Sequence, residues 1–205
     1  MAESYTQVPP NSTGNKMRTR SRAIGADTVH EQGIFTAAMP TYYALADAVA
    51  FAANKQHISI FNSAGSNQVV AIRKMFHINL SLAAVTGVAL RFDVKRTTAQ
   101  SAGTGITTQT ADSSNPALAN VLVATGATVT EGGILYPVTT QNDELTAANT
   151  AIANYLMQFG NLALEGIETQ ELRLRPGEGM TVKQITTSVV GSFAWLVAFT
   201  VESTL

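Results

Sequence analysis

The alternation in Glu171–Leu205, ELRLRPGEGMTVKQITTSVVGSFAWLVAFTVESTL, constrains this chain more than any other feature. Leu172 and Leu174 alternate with Arg173 and Arg175, and Met180 and Val182 resume the period. Phe193, Trp195, Val197, Phe199 and Val201 then fall on one face of a closing strand. A period of two held this long marks a half-buried β-strand, whereas an amphipathic helix repeats every 3.6 residues. Pro176 presets φ at the second position of a turn, and Gly177 supplies the positive φ that a type II turn needs next. The segment reads as three short strands joined by tight turns, and the chain as all-β.

Upstream segments repeat the pattern. Gln56–Asn62 sets Ile58 and Ile60 on one side, and Ser63–Asn67 is a turn cluster. Gln68–Leu82 reads as a strand pair or one bent strand. Val70, Ile72, Phe76, Ile78, Leu80 and Leu82 point inward there, and Arg73, His77, Asn79 and Ser81 outward. After a turn at Thr86-Gly87, Val88, Leu90, Phe92 and Val94 alternate with Arg91, Asp93 and Lys95. One buried and one polar face are expected of an antiparallel sheet wetted on one side. Residues 97–117 form a long polar loop, and strands resume at Asn120–Thr130 and Ile134–Val138.

Two stretches read differently. Residues 40–54, PTYYALADAVAFAAN, predict a helix, with Pro40 in its first turn, a run of strong helix formers, and Tyr42, Leu45, Val49 and Ala52 on one face. Residues 145–159 read as a second helix or as an insertion with Leu145, Ile152, Leu156 and Phe159 in the core. The expected fold is an all-β antiparallel sandwich of jelly-roll type over residues 40–205, with an extended N-terminal arm over 1–39 and one or two short helices.

Charge is scarce. Charged residues make up 13% of the 205-residue chain, about half the usual share, while 45% of residues are hydrophobic. A surface of Ala, Thr, Ser, Asn and Gln suits close packing against other protein, because interface cores are depleted in charge. The formal net charge of −1 gives no reason to expect nucleic acid. The chain has no cysteine, which excludes disulfides, thiolate nucleophiles and thiolate metal sites. The first residues lack the apolar run of a signal peptide, and no apolar run reaches membrane-spanning length, so synthesis in a cytoplasm and no membrane partner are expected. The arm carries Lys16, Arg18, Arg20 and Arg22, four cations in seven residues. These are the candidate partner-binding residues, directed at an acidic protein surface.

Residues for chemistry do not converge. His30, His57 and His77 show no metal-ligand spacing. Glu165, Glu168 and Glu171 precede a strand and read as a solvated loop. Gly103-Thr104-Gly105 lies in a Ser/Thr loop without phosphate-loop spacing, and there is no GxSxG element. Trp195 is in phase with Phe193 and Val197 and reads as core. No catalytic residue, cofactor or metal site is expected, and the protein is read as non-enzymatic.

The run HISIFNSAGSNQ at His57–Gln68, the following Val69–Ile78, the Gly87–Lys95 strand and the Ser101–Thr108 loop resemble a group of small tailed-bacteriophage virion proteins. The closing RLRPGEGMTVKQ and AWLVAFTVE match the same pattern, so the resemblance covers residues 40–110 and 170–202. It implies a jelly-roll capsid decoration, or cement, protein on the virion surface, associated as a homotrimer and bound to the major capsid protein. The alternative is a receptor- or glycan-binding head or tail appendage, for which Tyr136 and Tyr155 are the available exposed aromatics.

Overall fold

The computed structural model describes residues 3–7, 16–24, 27–31, 39–79, 88–142, 155–158 and 171–203. Leu80, Ser81, Leu82, the Thr86-Gly87 turn, Leu145, Ile152, Phe159, Glu165 and Glu168 lie outside the described residues. The chain divides into two compact units, Met1–Ala38 and Met39–Leu205.

In the first unit, β1 (Glu3–Gln7), β2 (Lys16–Ile24) and β3 (Asp27–Glu31) form an antiparallel sheet with β2 in the middle. The stretch expected as an extended arm thus carries paired strands.

The second unit is built from two antiparallel sheets. One contains β4 (Thr41–Ala50), β6 (Gln68–Asn79), β9 (Gln109–Thr110), β12 (Tyr155–Gln158) and β15 (Ser192–Ser203), in the order β12-β6-β15-β4-β9. β13 (Leu172–Leu174) also pairs with β6. The other contains β5 (Gln56–Asn62), β7 (Val88–Ser101), β8 (Thr104–Gly105), β10 (Val121–Thr125), β11 (Thr128–Asn142) and β14 (Glu178–Gln184), in the order β11-β7-β14-β5-β10-β8. The inward residues of both sheets make one core, in the manner of a β-sandwich.

The three closing strands form as their alternation requires. Leu172, Leu174, Met180 and Val182 are buried, as are all five inward residues of β15. Burying each such side chain contributes about 1.5–3 kcal/mol. Gly177 has φ +84°, and Glu178 N–H donates to Arg175 O at 2.9 Å, closing the turn that Pro176 begins.

The helix expected over residues 40–54 is the strand β4. Alanine's helix preference amounts to tenths of a kcal/mol per residue, and burial against a neighbouring strand overrides it. Tyr42, Ala44 and Ala46 point inward opposite Phe199, Val197 and Trp195. The small alanines leave room for the large side chains of β15, and Tyr42 stacks on Phe199 with ring centroids 5.8 Å apart. No helix occurs among the described residues. Of the second expected helix, residues 155–158 are the strand β12.

Three bulges defeat strict alternation. In β4, Asp47 and Ala48 together face Ala194, and Ala48 takes φ +47°; the extra residue returns Val49 to the core. In β6, Arg73 is the extra residue between pairs Ala198↔Lys74 and Phe199↔Ile72. Inward positions therefore change from Val70 and Ile72 to Met75 and His77, and the expected inward Phe76 and Ile78 turn to the outer face. In β5, His57 is extra between Val182↔Ile58 and Lys183↔Gln56.

The long polar loop expected over residues 97–117 is shortened by the continuation of β7 to Ser101 and by β8 and β9. The strand expected at Asn120–Thr130 is two strands, broken at Gly126, φ +61°.

The left-handed backbone at Ala48 in the β4 bulge yields a direct test, because Ala48 carries a Cβ where glycine carries none. Ala48→Gly should raise unfolding stability by about 1 kcal/mol, and Ala48→Val should lower it by at least as much, in urea denaturation.

Candidate functional site

The candidate cations sit on the central strand of the first unit. Lys16, Arg18, Arg20 and Arg22 occupy alternate positions of β2 and so share one face of it. The register sets Lys16 opposite Gln7, Arg18 opposite Tyr5 and Arg22 opposite Val29. Arg20 lies between Glu3 of β1 and Glu31 of β3, at directly paired positions. Arg20 thus has an acidic residue at the paired position of each neighbouring strand, and the other three cations do not. Spacing alone reveals the four cations; the acidic neighbours emerge only from the pairing of β1 and β3. His30 is paired with Ser21.

In the sandwich, two histidines are buried among aromatic rings. The β5 bulge turns His57 into the core, where Trp195 Nε1–H donates to its Nδ1 at 3.3 Å. The ring proton is therefore assigned to Nε2, which donates to Gln184 Oε1 at 3.1 Å. That oxygen also accepts from Ala52 N–H at 3.1 Å, while Gln184 Nε2 donates to Thr186 O and Ser188 O. A single saturated amide thus joins β5, the turn after β4 and the loop before β15. His77 stacks on Phe193 at 4.8 Å and shares a hydrogen bond with Thr140 of the opposite sheet, 3.3 Å from its Nε2. The expected outward position of His77 is corrected by the bulge at Arg73. Burial lowers both imidazoles from 6.5 to about 4; at His57 the bond to Gln184 opposes this and the Lys55 charge adds to it.

A polar cluster crosses the second sheet. Glu131 of β11 accepts from Lys95 Nζ at 2.7 Å, Lys183 Nζ at 2.6 Å and Gln56 Nε2 at 3.0 Å. Beneath it the Thr181 hydroxyl lies 2.7 Å from that of Ser59 and 2.8 Å from Gln56 Oε1. Desolvation is the largest influence on the Glu131 carboxyl and pushes it up. The bonds and charges of Lys183 and Lys95 together outweigh it and hold the group at about 2. On the first sheet, Arg73 pairs with Glu171 and lies 3.7 Å from Glu202, and Arg173 reaches Glu202 at 3.2 Å and Glu171 at 3.4 Å. Glu171, expected in a solvated loop, is part of this ion-pair network.

These arrangements tie strands together. Both nitrogens of His57 are committed to Trp195 and Gln184, and the Ser59 hydroxyl faces Thr181 rather than a base. Among the described residues no group of three or more His, Asp or Glu side chains could hold a metal ion. Trp195 is fully buried, and Tyr136 is exposed beside Ile134 and Leu135 on bulged β11. Tyr155 is paired with His77. The Gly103–Gly105 turn is ordered by β8 pairing with β10, and Gly103 has φ +88°. No family model, curated protein or solved structure matches the chain.

The buried imidazoles fix a pH dependence. The unfolded chain takes up these two protons near pH 6.5, the folded chain only near pH 4. Folding stability is therefore complete above pH 6.5 and falls as pH drops toward 4, by on the order of 3 kcal/mol for each ring. The Glu131 contribution is present above its unfolded value of 4.5 and is lost below that, as pH falls toward 2. Urea titrations from pH 7 to 4 should show the first loss. His77→Phe, which keeps the stack on Phe193 and removes one proton site, should reduce that loss by about half.

Proposed function

We propose that the protein is a non-enzymatic structural component of a bacteriophage virion, a decoration or cement protein that binds and stabilises the shell of the major capsid protein. The observation that carries the reading is the strand order. β4 pairs with β15, β5 with β14, β6 with β12 and β13, and β7 with β11. These nested antiparallel pairs, with members alternating between the two sheets, support a jelly-roll reading, the fold that the sequence resemblance implies. β8, β9 and β10 are then an insertion between β7 and β11. Low charge supports a subunit made to pack against protein, since fold alone does not define function.

In this reading the cationic face of β2 docks on acidic capsid surface, and the sandwich supplies contacts between copies, expected from the resemblance as a homotrimer. Several copies held together would raise the effective concentration of each docking strand. The role requires no cofactor, metal, membrane or nucleic acid.

A chain lacking residues 1–38 should keep the thermal midpoint of the sandwich and lose binding to intact capsids in a sedimentation assay. Equal capsid binding by the shortened chain would contradict docking through Lys16, Arg18, Arg20 and Arg22. The exposed Ile134, Leu135 and Tyr136 favour one second reading, a receptor- or glycan-binding appendage. Binding on a glycan array that disappears in Tyr136→Ala would support it.

A further inference from the structure

The outer face of the β4–β15–β6 sheet is apolar where an antiparallel sheet facing water is ordinarily polar. Directly paired residues share a face, so Leu45, Leu196 and Phe76 form one row across three strands. On the far side of β6, β12 pairs with Leu156 opposite Phe76. Ala194 and Ile78 form the next row on one side, and Tyr43, Ala198 and Lys74 the next on the other. Leu45 is 48% exposed and Tyr43 39%, while Leu196, Phe76 and Ile78 are half-buried. The Arg73–Glu171–Arg173–Glu202 network covers the sheet beyond Lys74, with Arg73 Nε donating to Thr200 Oγ1 at 2.9 Å. The bulges at Ala48 and Arg73 set this arrangement, since the second of them turns Phe76 and Ile78 outward.

Two charges frame the patch. Lys74 stands beside Ala198 on the β6 side, and Asp47 stands beside Ala194 on the β4 side. Both are exposed, and neither has an ion pair among the described residues. They lie at opposite corners, about 10 Å apart across the strands and about 13 Å along them. A twofold axis lying in the face and perpendicular to that diagonal at its midpoint brings each Lys74 onto Asp47 of the second copy, twice per pair. The same operation sets Leu196 against Leu196 at the centre and crosses the two Leu45–Leu196–Phe76 rows at a steep angle, as in orthogonal packing of sheets, and the small side chains of Ala194 and Ala198 allow close approach.

We infer that this outer face is a self-association surface, occupied by the same face of a second copy of the chain. Its charge pattern is complementary to itself, with one cation and one anion diagonally placed and no surplus of either. A nucleic acid would need cations that the face lacks, because Arg73 and Arg173 are held by Glu171 and Glu202. The inference is separate from the virion role, since capsid binding and pairing of copies can each fail while the other holds.

The test is sedimentation velocity on the full chain across a concentration series. Reversible assembly into particles with an even number of chains is expected: dimers, or hexamers where other contacts of the sandwich also join copies as trimers. Leu45→Glu, at an outward position, should abolish this pairing, leaving monomers or trimers, while circular dichroism keeps the β signature. Lys74→Asp and Asp47→Lys should each weaken association by about tenfold or more, and the double reversal should restore it. A chain that stays monomeric to its solubility limit, a wild-type assembly that stops at an odd number of chains, even-numbered assembly that survives Leu45→Glu, or a double reversal that fails to restore association would each overturn the inference.

Discussion

The bond from the Trp195 indole to His57 is the constraint around which the sandwich is organised. Trp195 belongs to the middle strand of one sheet, and His57 to a bulge in the other. A buried indole N–H without an acceptor costs about 1–3 kcal/mol, so the two sheets must meet where Nδ1 can accept it. That requirement selects the neutral ring and the Nε2 proton, and the Nε2 proton in turn selects Gln184 Oε1. Through Gln184 the same chain of bonds reaches Ala52, Thr186 and Ser188. The loop before β15 and the turn after β4 are thereby fixed by one tryptophan. Phe51, Phe92 and Phe193 pack around the pair, with Phe92 centred 5.2 Å from Trp195 and 5.0 Å from His57.

The bulges tie this interior to the exterior. Inserting one residue in β5 swings His57 inward, and inserting one in β6 brings His77 inward beneath Phe193. The second insertion also turns Phe76 and Ile78 outward, where they join Leu45 and Leu196. The core that needs two neutral imidazoles and the apolar face offered to a second copy thus follow from the same irregularities. Charged residues are few, and those on both sheet faces mostly pair with each other, as Arg73, Arg173 and Glu131 do.

Much of the fold was legible in particular residues. The β15 pattern, the Pro176-Gly177 turn and the inward Leu90, Phe92 and Val94 formed as their spacing required. The Ala-rich stretch misled because alanine records no packing preference; only the aromatic residues of β15 across from it make Ala44 and Ala46 strand residues. The phase of β6 was lost at Arg73 because a bulge leaves no mark in a period of two. The cations of β2 were visible as a spacing, whereas Glu3 and Glu31 lie distant in sequence and come to positions paired with Arg20 only through the sheet. The outer apolar row was hidden for the same reason, since Leu45, Leu196 and Phe76 become neighbours only in the sheet.

The chain has a single tryptophan, so its indole ¹H–¹⁵N resonance needs no assignment. Following that resonance from pH 7 to pH 4 tests the central bond directly. A hydrogen-bonded indole is slow to exchange at neutral pH and should lose its native resonance as His57 takes up a proton at Nδ1 and withdraws the acceptor. An indole proton that exchanges freely at pH 7, or a resonance that persists unchanged through the protonation of His57, would contradict the account.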